Sequence, residues 1–208
     1  MIRIIFGALL AVISGFVSPT LAGGVDRFAS FLSSTQSAKA EFEQKVFDKS
    51  RKLVQQSNGS FLFQRPGRFR WSYEKPFPQI IVGDGQRLWI YDADLNQVTV
   101  RKLDQALGHT PAALLAGNNE VVKAFRLVDH GAKDGLEWME AVPRDTDSSF
   151  ERVRMGFGFS GLEAMELHDT FGQITYLKFT SFQRNAKLEP GQFRFVPPKG
   201  ADVIGDAK

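Results

Sequence analysis

His109, His130 and His168 are the only histidines of this 208-residue chain; they fall on three separate segments, and no cysteine accompanies them. A zinc site needs three or four ligands converging in space, and these spacings read instead as surface or turn histidines. Gly156-Phe157-Gly158-Phe159-Ser160-Gly161 spells the G-x-G-x-x-G of a dinucleotide-binding turn, but that chemistry needs a long helix after the last glycine and an acid about 20 residues further on. Here a turn at Asp169 follows soon and residues 180–188 hold no acid, so a Phe-rich strand ending in a Ser-Gly turn is the better reading. The acid pairs Asp92/Asp94 and Asp145/Asp147 sit at apparent turns, where aspartates cap their own backbone, and no G-x-S-x-G nucleophile elbow is present. Asn58-Gly59-Ser60 matches the glycosylation sequon but reads as a hairpin turn. These residues predict no catalytic site, no metal site and no cofactor.

What stands out instead is ring surface. Between Phe61 and Tyr91 the chain carries eight aromatic residues, with a lone Arg65 just before Pro66. If the segment is a strand, Phe69, Trp71 and Tyr73 share one face and Arg68, Arg70, Ser72 and Glu74 the other. Trp89 and Tyr91 share a face of the neighbouring strand in the same way. On composition alone, an aromatic-rich core and an apolar ligand cavity are both consistent with this pattern.

The elements that position these residues follow from periodicity. Val25 to Gln36 carries Val25, Phe28, Ala29 and Leu32 at helical spacing with Asp26 in the first turn, predicting an amphipathic helix. From Ala38 to Val46 the period becomes two, a half-buried strand. Further strands are predicted at 52–56, 60–65, 68–74, 79–82, 87–91 and 97–102. Ser57-Asn58-Gly59 and Gly83-Asp84-Gly85 serve as hairpin turns. Thr110-Pro111 then caps a short apolar helix through Leu114 and Leu115, ended by Gly117, and Asn118 or Asn119 caps a second through Val121, Val122 and Phe125. Strands resume at 125–130, 135–142, 150–159, 162–168, 173–182 and 192–196. This is an antiparallel meander of roughly ten strands with a few short helices, and a sheet so large should curl.

The segment from Met1 to Ala22 has one early positive charge, an apolar run from Ile4 to Val17 and small residues before the expected cut, and reads as a secretory signal peptide. Residues 23–208 are then expected to form one exported domain. No later stretch approaches the roughly 20 apolar residues of a membrane helix, so no stable membrane insertion is expected. A lipoprotein's acylated cysteine is also lacking. With Arg3 removed, 25 basic residues face 23 acidic ones, scattered rather than clustered, which argues against nucleic-acid binding.

Four segments taken in order carry a family pattern: Arg65-Pro66-x-x-Phe69-x-Trp71; Asp84-Gly85-x-x-Leu88-Trp89-x-Tyr91; Thr110-Pro111 with Leu114-Leu115; and Phe193-x-Phe195-x-Pro197-Pro198-x-Gly200-x-x-Val203. With them the mature chain resembles the LolA family of lipoprotein carriers over nearly its whole length. The resemblance implies a mainly β fold with short α-helices: an unclosed antiparallel β-barrel, or half-barrel, covered by a helical lid. It implies a monomeric carrier in the periplasm that takes triacylated lipoproteins as cargo from an inner-membrane ABC transporter. Delivery is to the outer-membrane receptor LolB, and no enzymatic activity is involved.

On that resemblance, Phe69, Trp71 and Trp89, with Phe28, Leu32, Leu114 and Leu115 from the helices, are the cavity-lining candidates. For Phe28 and Leu32 simple helix-to-sheet packing is a second reading. In that family the arginine before the proline latches sheet to lid, so the resemblance makes Arg65 the candidate latch; a guanidinium at an apolar rim needs acceptors, and the uncapped carbonyls of a short helix would serve. The short end at 203–208 puts in doubt any extra terminal strand or helix. Competing readings are a glycolipid carrier or lipoprotein sensor of the same fold, and a lipid hydrolase, for which no nucleophile and base are visible.

Overall fold

The computed structural model describes residues 22–103, 112–117, 122–145 and 148–205. The signal-peptide reading, the Thr110-Pro111 cap and most of the second short helix lie outside these residues. The chain opens with helix α1, Gly24–Ser34, and continues through strands β1 Ser37–Phe47, β2 Leu53–Gln64, β3 Arg68–Lys75, β4 Gln79–Asp84, β5 Arg87–Asp92 and β6 Gln97–Lys102. A short helix, α2, covers Ala112–Ala116. Then come β7 Phe125–Lys133, β8 Leu136–Pro143, β9 Phe150–Gly158, β10 Gly161–Asp169, β11 Ile174–Arg184, a 3-10 turn at Pro190–Phe193 and β12 Asp202–Gly205.

All twelve strands form one sheet in the order β12-β6-β5-β4-β3-β2-β1-β11-β10-β9-β8-β7. Sequential neighbours pair antiparallel. The centre closes by pairing β1 with both β2 and β11, so Phe42 lies between Gly59 and Phe179. β7 and β12 stand at opposite ends of the sheet order, which leaves the barrel unclosed. The expected mainly β, unclosed antiparallel half-barrel with short helices over one side is what the chain forms.

Three expectations are corrected. The strands predicted at 52–56 and 60–65 are one strand, β2, which runs straight through Asn58-Gly59. Gly59 is required there by closeness rather than by a turn: a Cβ would lie 1.9 Å from the Ser72 carbonyl oxygen of β3 and 3.1 Å from the Phe42 ring. Residues 192–196 are not a strand; the 3-10 turn and extended chain occupy them, and the terminal strand in doubt exists as β12, parallel to β6. Phe125, read both as the end of the second short helix and as the start of the strand at 125–130, begins β7. The turn at Gly83-Asp84-Gly85 and the strand reading of the G-x-G-x-x-G segment agree with the structure.

Strand alternation gives the sheet two different faces. On the inner face Phe42, Phe61, Phe63, Phe69, Trp71, Met155, Phe157, Met165 and Phe179 join α1 and α2 in one apolar core. On the outer face, Val82, Val98 and Val100 are also fully buried. They lie beneath the segment from the 3-10 turn to β12, whose Phe193 is buried and whose Phe195 ring meets Trp89 and Tyr91 at 5.7 and 6.0 Å. Elsewhere on that face Arg154 bridges Glu140 at 2.9 Å and Glu166 at 3.6 Å, with His168 at 3.3 Å from Glu166.

Candidate functional site

α1 lies across β7–β10, and α2 stands over β2 and β3. The helix stripe that reaches the sheet is Gly24, Phe28 and Phe31, with Val25 and Leu32 half-buried beside it; Ala29 points to solvent. Phe28 contacts Phe157 at 6.2 Å between ring centres, and Phe31 meets Phe157 at 5.9 Å and Phe63 at 6.3 Å. Below, Trp71 sits between Phe61 at 4.4 Å and Phe42 at 5.1 Å. Ring pairs at such separations add attraction beyond their burial.

Of the sequence candidates, the structure brings together Phe28, Leu32, Phe69, Trp71, Leu114 and Leu115 in the inner core. It does not bring Trp89 there. Trp89 is the register partner of Val82 and Val100, whereas Trp71 faces Ile81 and Ile81 faces Ile90, so Trp89 points away from the inner face. Its indole Nε1 donates to Asp84 Oδ2 at 2.7 Å, and its ring packs on Phe195. Alternation within β5 separates Trp89 from Leu88 and Ile90, and only the cross-strand register shows which of the two sets faces the helices.

The inner-face rings that sequence reasoning passed over are Phe31, Phe42, Phe61, Phe63, Phe157 and Phe179. The signal for Phe31 was its spacing of three from Phe28; for Phe61 and Phe63 it was alternation ahead of Arg65. Phe179 carries no local mark, because its place beside Phe42 arises from the β1–β11 pairing across most of the chain.

α1 is tied to the sheet at both ends. Its first turn has no capping side chain of its own, and Asp129 of β7 accepts the Val25 amide at 2.8 Å in its place. A carboxylate there also meets the positive end of the helix. Gly24 permits this approach, since a Cβ would lie 2.2 Å from the Trp138 carbonyl oxygen. At the other end Asn185 Nδ2 donates to the Ser34 carbonyl at 2.8 Å and its Oδ1 accepts the Gln36 amide at 2.9 Å.

Arg65 stands where α1, α2 and the β2–β3 connection meet. Its Nε donates to the Leu115 carbonyl of α2 at 2.8 Å, and its Nη1 donates to the Leu32 carbonyl of α1 at 2.9 Å. Nearby, the Gly67 amide donates to the Ala116 carbonyl at 2.7 Å. The carbonyls concerned belong to last turns, which have no partners within their own helix. The guanidinium also rests 5.3 Å from the Phe31 ring centre and 5.5 Å from that of Phe63, a cation–π arrangement. Burial lowers its pKa to about 10, so it stays charged at neutral pH. Its Nη2 is buried without a hydrogen-bond partner among the described residues. One cation thus holds two helices over an aromatic floor, and the fit is incomplete by one donor.

In this conformation Phe28, Phe69, Leu114 and Leu115 are each at most 2 % exposed. The apolar lining is packed against itself. A long apolar guest would have to displace α1 or α2, and with either helix a carbonyl that Arg65 now bonds.

Comparison with known proteins gives a consistent picture. The family model described as "Outer membrane lipoprotein carrier protein LolA" matches residues 33–196. A protein of Nitrosospira multiformis named outer-membrane lipoprotein carrier protein is 52% identical over 192 residues, covering 92% of this chain and 93% of the relative. Its namesake in Dechloromonas aromatica is 50% identical over 185 residues, 89% of each chain. That of Nitrosomonas europaea is 44% identical over 207 residues, covering 99% of this chain and all of the relative. Among solved structures, an uncharacterized conserved protein from Thermus thermophilus shares the fold with a TM-score of 0.53 at 16% identity, over 86% of this chain and 95% of that one. With a family match over residues 33–196 and relatives at 44–52% identity along nearly its full length, the chain belongs to the LolA family of outer-membrane lipoprotein carrier proteins.

Proposed function

We propose that this protein is a periplasmic carrier of lipoproteins, exported through a cleaved signal peptide at residues 1–22 and working as a monomer. It takes triacylated cargo from an inner-membrane lipoprotein-releasing ABC transporter, shields the acyl chains between sheet and helices, and delivers them to the receptor LolB. The lining is the apolar set Phe28, Leu32, Phe69, Trp71, Leu114 and Leu115. No catalytic step is needed. Burying a methylene is favourable by roughly 0.8 kcal/mol, so three acyl chains left in water would cost tens of kcal/mol and would not cross an aqueous space unescorted.

The observation that supports this reading best is the pair of Arg65 hydrogen bonds to Leu32 and Leu115. A carrier that recovered the whole transfer energy of its cargo could not release it. Bonds that exist only in the closed, empty state subtract from binding and favour unloading. Mass spectrometry of the protein isolated from the periplasm tests the proposal. Triacylated protein should co-purify, and depletion of the carrier should leave outer-membrane lipoproteins at the inner membrane. Recovery of free glycolipid alone, with lipoprotein sorting intact, would refute it.

A further inference from the structure

The inner face is not apolar along its whole length. Moving along each strand away from Arg65, the inward side chains change character within two consecutive cross-strand rows. On β1 Phe42 gives way to Gln44, on β3 Trp71 to Tyr73, on β4 Ile81 to Gln79 and on β5 Ile90 to Asp92. On β2 the inward series ends in Ser57 and Gln55, beside Gln44 and Val46. Strands β3 to β5 turn polar in the row of Phe42 and Gly59, and β1 and β2 follow one row further on with Gln44 and Ser57, an order that a strand's own alternation does not require.

Tyr73 marks the boundary. Its ring lies against Phe42 at 5.2 Å and Trp71 at 6.5 Å, and its hydroxyl donates to Gln44 Oε1 at 3.1 Å. Gln44 and Ser57 are both buried, and Gln55 Nε2 donates to Ser57 Oγ at 3.2 Å. Beyond them a cleft of about 460 Å³ opens to solvent between the exposed tips Phe77 and Leu95. Its walls carry amides, hydroxyls and the carboxylates of Asp92 and Asp94, and among the described residues that line it none is a cation.

We infer that this polar layer is a second subsite, which holds the amide-rich junction between the acyl chains and the peptide of a lipidated protein. The inference rests on the carrier reading above and adds an orientation to it. Acyl chains lie on the aromatic floor towards Arg65, and the peptide leaves past Phe77 and Leu95. Amide and hydroxyl side chains offer both donors and acceptors, which suits the N–H and C=O groups of an acylated peptide. A lining with two carboxylates and no cation disfavours phosphate, so a phospholipid headgroup is the wrong chemistry for it.

Binding to the purified full-length protein tests the inference with three probes: a synthetic triacylated cysteinyl hexapeptide, phosphatidylglycerol, and the aromatic fluorophore N-phenyl-1-naphthylamine, which has no amide, carbonyl or phosphate. Tyr73→Phe and Gln44→Leu should each weaken lipopeptide binding about five-fold and leave the naphthylamine unchanged. Gln79→Leu, at the half-exposed mouth, reads the same contacts without disturbing the buried pair. Unchanged lipopeptide affinity in all three variants would overturn the subsite while leaving the carrier reading intact. An equal loss for phosphatidylglycerol would overturn the peptide assignment. A wild-type protein that takes the naphthylamine but not the lipopeptide would remove the carrier reading and the subsite together.

Discussion

Arg65 Nη1 donates to the main-chain carbonyl of Leu32 at 2.9 Å, from the end of β2 to the last turn of α1. With its partner bond to Leu115 it joins both helices to one side chain, beside the contacts that Asp129, Asn185 and Gly67 make with them. A hydrogen bond from a charged donor contributes about 1.5–3 kcal/mol, reduced here by the cost of burying the guanidinium that lowers its pKa to about 10.

Arg65→Leu should therefore keep cargo binding and lose handover. In a transfer reaction with purified receptor, delivery is expected to fall about ten-fold while loading persists. Amide exchange in the last turn of α1 should speed up in the empty variant. Normal delivery would show that Arg65 is only a packing residue.

Asp84 is expected to make stability depend on acid pH. Partial burial raises its pKa, but hydrogen bonds from the Trp89 indole and from the Arg87 and Gln86 amides, with the charge of Arg87, outweigh that and leave it lowered. A carboxyl whose folded pKa lies below the unfolded value contributes stability that is present above about pH 4 and is lost as pH falls through the folded value. Asp84→Ala should cost about 1–2 kcal/mol at pH 7 in urea unfolding, a modest figure because the group is only partly buried and water screens it. The difference between variant and wild type should shrink below pH 4.

Phe193 fixes the C-terminal segment to the outer face. It is 2 % exposed, over the same half of the sheet that buries Val82, Val98 and Val100. Phe193→Ala should destabilise the fold by about 3–5 kcal/mol and shift Trp89 fluorescence to the red as Phe195 moves away. A variant with unchanged midpoint and emission would mean that the segment is not part of the cooperative unit.

Gly59→Ala probes the close contact of β2 and β3. The new Cβ would meet the Ser72 carbonyl oxygen at 1.9 Å, and a main-chain atom in mid-sheet has nowhere to go. A loss above about 3 kcal/mol is expected, well beyond an ordinary strand substitution. Asn58→Ala, one residue away and without that contact, should cost far less.

Much of this molecule could be read from local pattern. The alternation in β1 and β3, the turn at Asp84-Gly85 and the helical spacing around Phe28 each depend on residues a few positions apart, and each of these elements formed. The failures share a cause. Asn58-Gly59 has the local chemistry of a hairpin, but the glycine answers to Ser72 on the next strand. Residues 192–196 have the alternation of a strand, but Pro190 and the packing of Phe193 against the sheet make the segment a strap.

The sequence by itself determined the elements, their approximate limits and the presence of two unlike faces, because side-chain alternation and helical period are properties of the chain alone. It also singled out Arg65, through its place before Pro66 in the family pattern. Only the tertiary structure decided which face each aromatic residue occupies. Trp89 lies one position along the strand from Leu88, and the register of β5 against β4 and β6 turns it outward under Phe195 while Trp71 turns inward under the helices. The acceptors of Arg65 were equally out of reach of sequence. The carbonyls of Leu32 and Leu115 are 33 and 50 residues away, and a main-chain oxygen has no signature in sequence until the fold brings it within hydrogen-bonding distance.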